Sequence, residues 1–277
     1  MILVTGATGN VGRHLVTRLS AAGVPVRALT RDPETAVLPE GVAAIAGDLA
    51  DPDSLEAALK DVESVFLVWP FLTAEQAPGV LETIGRHARR VVYLSSLGVD
   101  DDAERQADLI NQFHADMERL IEKSGLEWTF LRAGTFAANA LGWAEQVRAG
   151  DVVHYPFDGA KAIIHEADIA AVAARTLTED GHVGAKHILT GPEALTTVER
   201  VRTIGEAIGR TLRFEKTPAR AARERMLADG WPPTLVDALL SAPDDQPAVV
   251  TSTVEEITGA PARTFRDWAV EHADAFR

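Results

Sequence analysis

The sequence predicts an α/β protein built on a doubly wound parallel sheet, with a smaller, mostly helical C-terminal part. Through the first half of the chain, short apolar runs rich in β-branched residues alternate with stretches of helical periodicity. A glycine-rich segment follows the first apolar run directly, at the edge where such a sheet binds ligands. The 46% hydrophobic and 25% charged content is that of a globular protein.

Six apolar runs are predicted to form the strands of the sheet. In chain order they are residues 2–4, 26–29, 42–45, 65–68, 91–94 and 128–131. Because helical segments separate them, the strands are expected to be joined by βαβ crossovers and to pair in parallel.

Three crossover helices are predicted in this half. The first begins after the glycine-rich segment and stops at Gly23. Asp51 precedes Pro52, a capping residue followed by proline at the first helical position, which predicts the start of a second helix. A third helix is predicted from about Gln106 to Lys123.

After residue 132 the strict alternation ends. Residues 133–159 mix glycine, aromatic and polar residues, which is typical of loops and short elements over a binding cleft. A later helix is predicted from the capping box between Thr196 and Glu199. We therefore assign 1–132 to the sheet domain, and 133–277 to a substrate-cleft and helical portion that is partly interleaved with the sheet.

The composition excludes several kinds of site. Cysteine is absent, which rules out disulfides, thiolate nucleophiles and cysteine-based zinc sites. His165, Glu166 and Asp168 are metal-ligand types, but without an HExxH spacing they predict a helix start, and we assign no metal. The net charge of −14 opposes binding to nucleic acid phosphates, so no nucleic-acid partner is expected.

No segment indicates a membrane span or export. No apolar run approaches the roughly 18 residues that a span needs, and no leader pattern precedes the strand at residue 2. We expect a cytoplasmic protein with no membrane contact, acting on a small molecule.

The glycine-rich segment fits a dinucleotide-binding fingerprint of the Rossmann type. Gly6 is expected to permit the tight turn, Gly9 to let the backbone approach a pyrophosphate, and Gly12 to let the helix pack closely on the sheet. The free N–H groups and the dipole of the helix N-terminus would then face the phosphates. The whole segment comprises Gly6, Ala7, Thr8, Gly9, Asn10, Val11 and Gly12.

The end of the second strand favours NADP(H) over NAD(H). An acidic residue there commonly binds the ribose 2′-hydroxyl of NAD, but Thr30 occupies that position. Arg31 follows, and a guanidinium suits a 2′-phosphate. Asp32 keeps NAD(H) open as the alternative, although Pro33 after it suggests a helix cap instead.

Several motifs together resemble the NmrA-like group of atypical short-chain dehydrogenases. They are the segment TGATGNVG, Arg31 after the second strand, Gly47-Asp48-Leu49, Leu94-Ser95-Ser96, the tract SGLEWTFLRAGTFAAN, Glu166-Ala167-Asp168-Ile169-Ala170 and Leu189-Thr190-Gly191-Pro192-Glu193. That group includes NADPH-dependent quinone reductases, isoflavone and phenylcoumaran-type reductases, and redox-sensing regulators without measurable chemistry. The resemblance covers nearly the whole chain.

The resemblance implies roles for residues beyond the fingerprint. It implies that Asp48 and Leu49 border the adenine and that Trp69 and Ser96 approach the nicotinamide. It further implies that the substrate cleft is lined by Gly134, Phe136 and Asn139.

The proton donor is the open question of this sequence. Short-chain dehydrogenases use a Tyr with a Lys four residues later, but Leu97 and Gly159 stand four residues after Tyr93 and Tyr155. His114 occupies the position where some NmrA-like reductases carry a lysine. It is our candidate catalytic acid, with a buried structural histidine as the equal alternative, because it lies on an apolar helix face.

Aromatic residues could form a cleft for a flat substrate. Trp69, Phe71, Phe136 and Trp143 are the candidates, with ordinary core packing as the alternative. The sequence therefore favours an NADPH-dependent oxidoreductase that transfers hydride to a small conjugated substrate such as a quinone or enone. The alternatives are a non-catalytic NADP(H) redox sensor acting through a protein partner, and a biosynthetic enzyme with a specialised or non-redox step. A homodimer is a further expectation.

Overall fold

The computed structural model describes residues 1–241, 244 and 247–277. Its strands, in chain order, are β1 (Ile2–Val4), β2 (Val26–Thr30), β3 (Ala43–Ala46), β4 (Ser64–Leu67), β5 (Arg90–Ser96), β6 (Glu127–Ala133), β7 (Val152–Tyr155), β8 (Lys161–Ala162), β9 (Ala185–Leu189), β10 (Ala194–Leu195) and β11 (Arg213–Lys216). Seven of them form the central sheet in the order β3-β2-β1-β4-β5-β6-β9. Every pairing in that sheet is parallel, as the sequence predicts.

The helices, in chain order, are α1 (Gly12–Ala21), α2 (Glu56–Leu59), α3 (Ala77–His87), α4 (Leu109–Lys123), α5 (Ala144–Ala149), α6 (Glu166–Thr178), α7 (Thr197–Ile208), α8 (Ala219–Ala228), α9 (Pro233–Ser241), α10 (Thr253–Thr258) and α11 (Phe265–Glu271). Short 3-10 segments cover Pro52–Leu55, Ala137–Trp143 and Ala273–Phe276. None of the helices within the described residues is long and apolar enough to cross a membrane.

Helices cover both faces of the sheet. On one face, α1 and α6 pack against the strands through an apolar cluster that includes Leu15, Val16 and Val172. On the other face, a second cluster joins the strands to α2, α3 and α4. Because both faces are covered, the central strands are almost entirely apolar rather than alternating.

The C-terminal part has a core of its own. Trp143, Trp268 and Phe276 are buried in a third cluster, which brings α5, α7 and α11 together. Two small sheets, β8 with β10 and β7 with β11, complete this part. The segment after residue 133 also contributes β9 to the central sheet and α6 to the helices that pack on it. The division of the chain at residue 132 stays a prediction.

Two predicted helix starts are wrong in detail. The side chain of Asp51 makes no capping hydrogen bond, and Pro52–Leu55 forms a 3-10 turn before the short α2. Residues 31–39 form a bend and a turn instead of a helix, so Asp32 is not a helix cap. In both places the local capping signal is present, but the segment is too short to propagate a helix without tertiary packing.

Other predicted boundaries are closer. α4 begins at Leu109 instead of about Gln106, because the side chain of Asp108 accepts a hydrogen bond from the Asn111 N–H and caps the helix there. α6 begins at Glu166, as predicted, with the Nδ1 atom of His165 accepting from the Ala167 N–H. The capping box of Thr196 and Glu199 is present at the start of α7.

Candidate active site

The turn after β1 has the backbone shape of a dinucleotide fingerprint. Gly6 adopts a φ of 58°, in the left-handed region that favours glycine. A Cβ atom at Gly12 would overlap the carbonyl oxygen of Gly6, so α1 can lie this close to the turn only with glycine at that position. At Gly9 a Cβ atom would meet only that same oxygen, at 3.2 Å, which leaves its other side open. These contacts match the separate roles that the sequence predicts for the three glycines.

The N-terminus of α1 is open for an anion. Val11, the capping residue, makes no side-chain capping bond, and the first turn contains no acidic residue. Within the described part of the chain, the N–H groups of Asn10, Val11 and Gly12 have no backbone acceptor. Unpaired N–H groups and the positive end of the helix dipole together form the usual pyrophosphate site of this fold.

A cleft of about 970 Å³ extends from this turn along the carboxyl ends of the first four strands. Its position is where strand order reverses in the sheet, between β1 and β4, and ligands of doubly wound folds bind at that crevice. The cleft lining includes Gly6, Thr8, Arg31, Asp48, Leu49, Val68 and Phe71. The sequence had assigned all of these except Val68 to the cofactor or the substrate.

One end of the cleft is suited to the adenosine half of a dinucleotide. Arg31 is exposed there, and no carboxylate among the described residues pairs with it. Asp48 is held in place because its Oδ1 accepts from the Ala50 N–H at 2.9 Å, and Leu49 is buried beside it. Arg13, on the first turn of α1, lines the same cleft with an exposed side chain.

Two aromatic residues follow β4: Trp69, predicted for the nicotinamide side, packs in the second core cluster, and Phe71, predicted for the substrate, lines the cleft. Trp69 is buried, and its indole N–H donates to the Thr73 carbonyl at 2.8 Å. Its ring meets Phe71 edge to face, with 5.1 Å between centroids. Ser96, the last residue of β5, is half-buried at the same edge of the sheet.

The residues predicted to line the substrate cleft follow β6. Gly134 donates its N–H to the Leu189 carbonyl at 2.9 Å, and Phe136 bridges to Ile164. Asn139 is exposed in the 3-10 segment that comes next. Trp143 lies apart from them, buried in the third core with the Arg200 guanidinium over its ring, which favours the core-packing alternative for this tryptophan.

His114 is placed on α4 with its ring turned toward the sheet. Its Nδ1 lies 2.7 Å from the hydroxyl oxygen of Tyr93, and its ring packs on Phe113 with 4.1 Å between centroids. Burial lowers the pKa of His114 to about 4, and burial raises the pKa of Tyr93. A buried, neutral imidazole that is hydrogen-bonded to Tyr93 fits the structural alternative for His114.

Two residues at the site were not singled out from the sequence. Arg13 directly follows Gly12, and a basic residue at that position was the available signal. Asn111 lies one helical turn before His114 on α4, and its Oδ1 accepts from the Ser96 hydroxyl at 2.8 Å. Nothing in local sequence indicates this contact, because it joins residues from two different elements.

Sequence comparisons agree with the site. A family model described as NAD(P)H-binding matches residues 6–180. The chain is 41% identical to a (4-alkanoyl-5-oxo-2,5-dihydrofuran-3-yl)methyl phosphate reductase of Streptomyces griseus, over 100% of this chain and 99% of the relative. It is 36% identical to an NAD(P)H azoreductase of Xenophilus azovorans, with the same coverage of both chains.

Solved structures agree with the fold. The crystal structure of the NADPH-dependent quinone oxidoreductase QOR2 of Escherichia coli, complexed with NADPH, superposes with a TM-score of 0.79 at 25% identity and covers 98% of this chain and 99% of that one. A triphenylmethane reductase of Citrobacter sp., complexed with NADP(H), superposes with a TM-score of 0.80 at 20% identity and the same coverage, which supports the fold alone.

Proposed function

Because this chain belongs to the NAD(P)H-binding family and is an NAD(P)H-dependent reductase that uses NADP(H), we propose that it transfers hydride to a small conjugated substrate such as a quinone or enone. We prefer the reductase to the alternative of a non-catalytic sensor, because the relatives at 41% and 36% identity are themselves reductases.

The observation that carries this proposal is that the Tyr93 hydroxyl and the Nδ1 atom of His114 are already bonded to each other, 2.7 Å apart. Tyr93, on β5, is fully buried and bonded to His114, and Leu97 stands four residues later, where a partner lysine would be. A conjugated acceptor tolerates such a site, because the negative charge that follows hydride arrival is delocalised and water can supply the proton afterwards.

The names of the relatives support the same substrate class. A 5-oxo-2,5-dihydrofuran, an azo compound and a quinone each contain an electron-poor double bond in conjugation. We propose that this shared chemistry, and no single one of those compounds, describes the acceptor of the present protein.

The chain's own residues would hold the cofactor and shape the site. NADPH supplies the hydride. The α1 N-terminus would bind the pyrophosphate, Arg31 the 2′-phosphate, and Asp48 with Leu49 the adenine side. Trp69 and Phe71 would exclude water from the nicotinamide end, where a flat acceptor would stack.

The proposal is tested by following NADPH oxidation with purified protein against four acceptors. These are a benzoquinone, a 4-acyl-dihydrofuran-5-one, an azo dye and a saturated ketone. We expect acceptor-dependent oxidation with at least one of the first three and none with the ketone. The matched control is Gly9→Val, which should bind no dinucleotide. Rates with every acceptor equal to those of the control would overturn the proposal.

Location and assembly follow from the same reasoning. We propose that the protein works in the cytoplasm, where NADPH and small conjugated molecules are both present, and that it needs neither a nucleic acid nor a membrane. The homodimer stays a prediction, and light scattering on the eluted protein tests it directly.

A further inference from the structure

Two helices near the end of the chain form a hairpin that lies outside the three apolar cores. α8 and α9 pack against each other, and the Arg223 guanidinium pairs with the Asp237 carboxylate between them at 2.7 Å. Of the side chains on these two helices, only Ala222 and Val236 are buried. We refer to residues 219–241 as the α8–α9 hairpin.

The turn between the two helices is rigid. Gly230 has a φ of 86°, in the left-handed region, which lets the chain reverse after α8. The Trp231 N–H donates to the Met226 carbonyl at 3.0 Å and closes the last turn of that helix. Pro232 and Pro233 then fix the backbone at the start of α9. The α8–α9 hairpin is therefore expected to move as one body.

Both ends of the α8–α9 hairpin are attached to the same short turn of the C-terminal part. Before α8, the Thr217 N–H donates to the Tyr155 carbonyl at 3.0 Å. After α9, an oxygen of the Asp244 carboxylate accepts from the N–H groups of Asp158 and Gly159, at 2.8 and 3.1 Å. The two attachment points consequently lie close together, as they do at a hinge.

One lysine joins the two attachment points. The Nζ atom of Lys216 lies 2.6 Å from Oδ1 of Asp158 and 3.9 Å from Oδ2 of Asp244. The side chains of Lys216 and Asp158 are about half exposed, and ion pairs with this exposure contribute little to stability because water screens them. The α8–α9 hairpin is thus held at its hinge by contacts that water can replace.

The α8–α9 hairpin connects the two halves of the molecule beside the substrate end of the cleft. α9 packs against α4, which begins at the carboxyl edge of the sheet after β5. The hinge turn is followed by β8 and then by Ile164, which accepts from the Ala137 N–H and donates to the Thr135 carbonyl, both at 2.9 Å. These two residues flank Phe136, which was predicted to line the substrate cleft.

α9 carries an apolar stripe that the rest of the fold covers only in part. Val236 is fully buried, whereas Leu235, Leu239 and Leu240 are half-buried. The side chains recur at intervals of three to five residues, so they lie along one side of the helix. Their remaining apolar surface is of the kind that a flat conjugated molecule can cover favourably.

We propose that the α8–α9 hairpin is a strap that closes over the acceptor at the substrate end of the cleft and opens about its hinge to admit it. A body with few buried side chains and weak attachments opens more easily than the remainder of a fold. An acceptor that binds only the closed form shifts the hairpin toward closure. The chemical class of the acceptor rests on the proposed function, and the movement of the hairpin does not.

The first test measures the position of the α8–α9 hairpin. Because the chain has no cysteine, Asp229→Cys with Lys123→Cys introduces two spin labels alone, one at the hairpin tip and one at the exposed end of α4. Electron–electron distances should be broadly distributed in the free protein, and shorter and narrower with NADP⁺ and a benzoquinone, which cannot exchange hydride. The control pair, Arg18→Cys with Lys123→Cys, lies on two helices of the sheet and should not change.

The second test loosens the hinge without any ligand. Asp244→Ala removes the acceptor for two backbone N–H groups, and it should shift the label distances in the free protein to longer values. The matched control is Glu224→Ala, which removes an exposed carboxylate that pairs with Arg220 inside α8. That variant should leave the distances as in the wild type.

The third test locates the strap relative to the two ligands. Asp244→Ala should raise the KM for the acceptor by about three- to ten-fold, because the apparent affinity falls in proportion to the closed fraction. The Kd for NADP⁺, measured by calorimetry, should stay unchanged. An arrangement in which residue 244 only supports the fold would weaken both ligands.

Two results would overturn the strap. One is a set of label distances that is the same with and without ligands and in Asp244→Ala, and the other is an equal loss of affinity for NADP⁺ and the acceptor in that variant. A wild type that oxidises NADPH with none of the four acceptors would contradict the proposed function instead. The ligand-free shift in Asp244→Ala would then still support a hairpin that opens about its hinge.

Discussion

Arg31 and Arg13 present two guanidinium groups to the adenosine end of the cleft. We expect Arg31→Ala to remove most of the preference for NADPH over NADH. A hydrogen bond to a charged group contributes about 1.5 to 3 kcal/mol, which corresponds to a loss of roughly 10- to 150-fold for NADPH. The lower end is expected because the side chain is exposed, and the preference should shrink as salt rises.

Arg13→Ala serves as the matched variant for Arg31→Ala. Four ligands distinguish the two side chains: NADPH, NADH, adenosine 2′,5′-bisphosphate and adenosine diphosphate, which lacks the 2′-phosphate. If Arg13 contacts the pyrophosphate, Arg13→Ala lowers the affinity for NADPH, NADH and adenosine diphosphate, which contain that group. If it contacts the 2′-phosphate, the variant lowers the affinity only for NADPH and adenosine 2′,5′-bisphosphate. Equal losses for NADPH and NADH in Arg31→Ala would mean that Arg31 only supports its loop.

Because His114 is buried, we expect the free energy of unfolding to depend on pH. Its pKa is about 4 in the folded protein and near the ordinary 6.5 in the unfolded chain. Between these values the unfolded chain binds more protons, so the free energy of unfolding falls as pH drops from about 6.5 toward 4. Denaturation of His114→Gln at pH 7 and pH 5 should show a pH-dependent loss smaller by about 2 kcal/mol than that of the wild type.

The same variant addresses catalysis by His114. A positioned acid is worth about 10² to 10⁴ in rate, so a drop of that size at neutral pH would restore the catalytic interpretation. The imidazole is neutral at pH 7 and is bonded to the Tyr93 hydroxyl, and we therefore expect turnover within about ten-fold of the wild type.

At the scale of elements, two glycines of the β1–turn–α1 unit have different roles. Gly9 is expected to matter for dinucleotide binding, and Gly12, three residues later, for the stability of the fold. Gly9→Val should abolish dinucleotide binding while the protein remains folded, because a Cβ atom at Gly9 would meet one carbonyl oxygen and otherwise face open space, where the pyrophosphate is expected to approach. Calorimetry with NADPH and circular dichroism measure the two properties. Retained affinity in Gly9→Val would disprove the fingerprint assignment.

Gly12→Ala is the contrasting variant in the same unit. Its single methyl group would overlap the Gly6 carbonyl, so α1 must move away from the turn. We expect this smaller substitution to lower the thermal midpoint more than Gly9→Val does, since overpacking typically costs about 1 to 3 kcal/mol. A Gly12→Ala protein as stable as the wild type would show that α1 can shift freely.

At the scale of the whole molecule, one buried ion network joins strands and helices from both halves of the chain. Arg132, on β6, pairs with Glu118 of α4 at 2.6 Å, and both side chains are almost fully buried. Arg132 also pairs with Asp101 at 2.6 Å, and Asp101 forms a second ion pair with Lys186 of β9 at 2.7 Å. These bonds lower the pKa of Asp101 to about 2.

Breaking this network from one side should be costly. Glu118→Ala leaves the Arg132 guanidinium buried without its innermost partner, and we expect it to lower the free energy of unfolding by about 3 to 5 kcal/mol. Urea denaturation measures the loss, with Asp116→Ala as the control, because Asp116 is a partly exposed carboxylate of the same helix that pairs with Arg119 outside this network. If the two variants lose the same stability, the buried pair contributes no more than a surface charge.

Local patterns in the amino-acid sequence were sufficient to predict the α/β class, the parallel pairing of six strands, the fingerprint and NADP(H) as the cofactor. These properties depend on patterns that are local in the chain. Apolar periodicity specifies strands and helices, and the glycines of the turn after β1 are required by backbone geometry within one short segment. The same locality explains why the capping box of Thr196 was predicted correctly.

Tertiary structure decided what depends on contacts between distant residues. The amide of Asn111 meets the Ser96 hydroxyl because α4 packs beside the end of β5, and β9 enters the sheet from a segment whose own pattern is weak. His114 has the same sequence context whether it is an acid or a buried structural residue, and it is burial in the folded protein that lowers its pKa. A side chain's protonation and hydrogen bonding depend on which groups surround it in space, and chain order alone does not specify those groups.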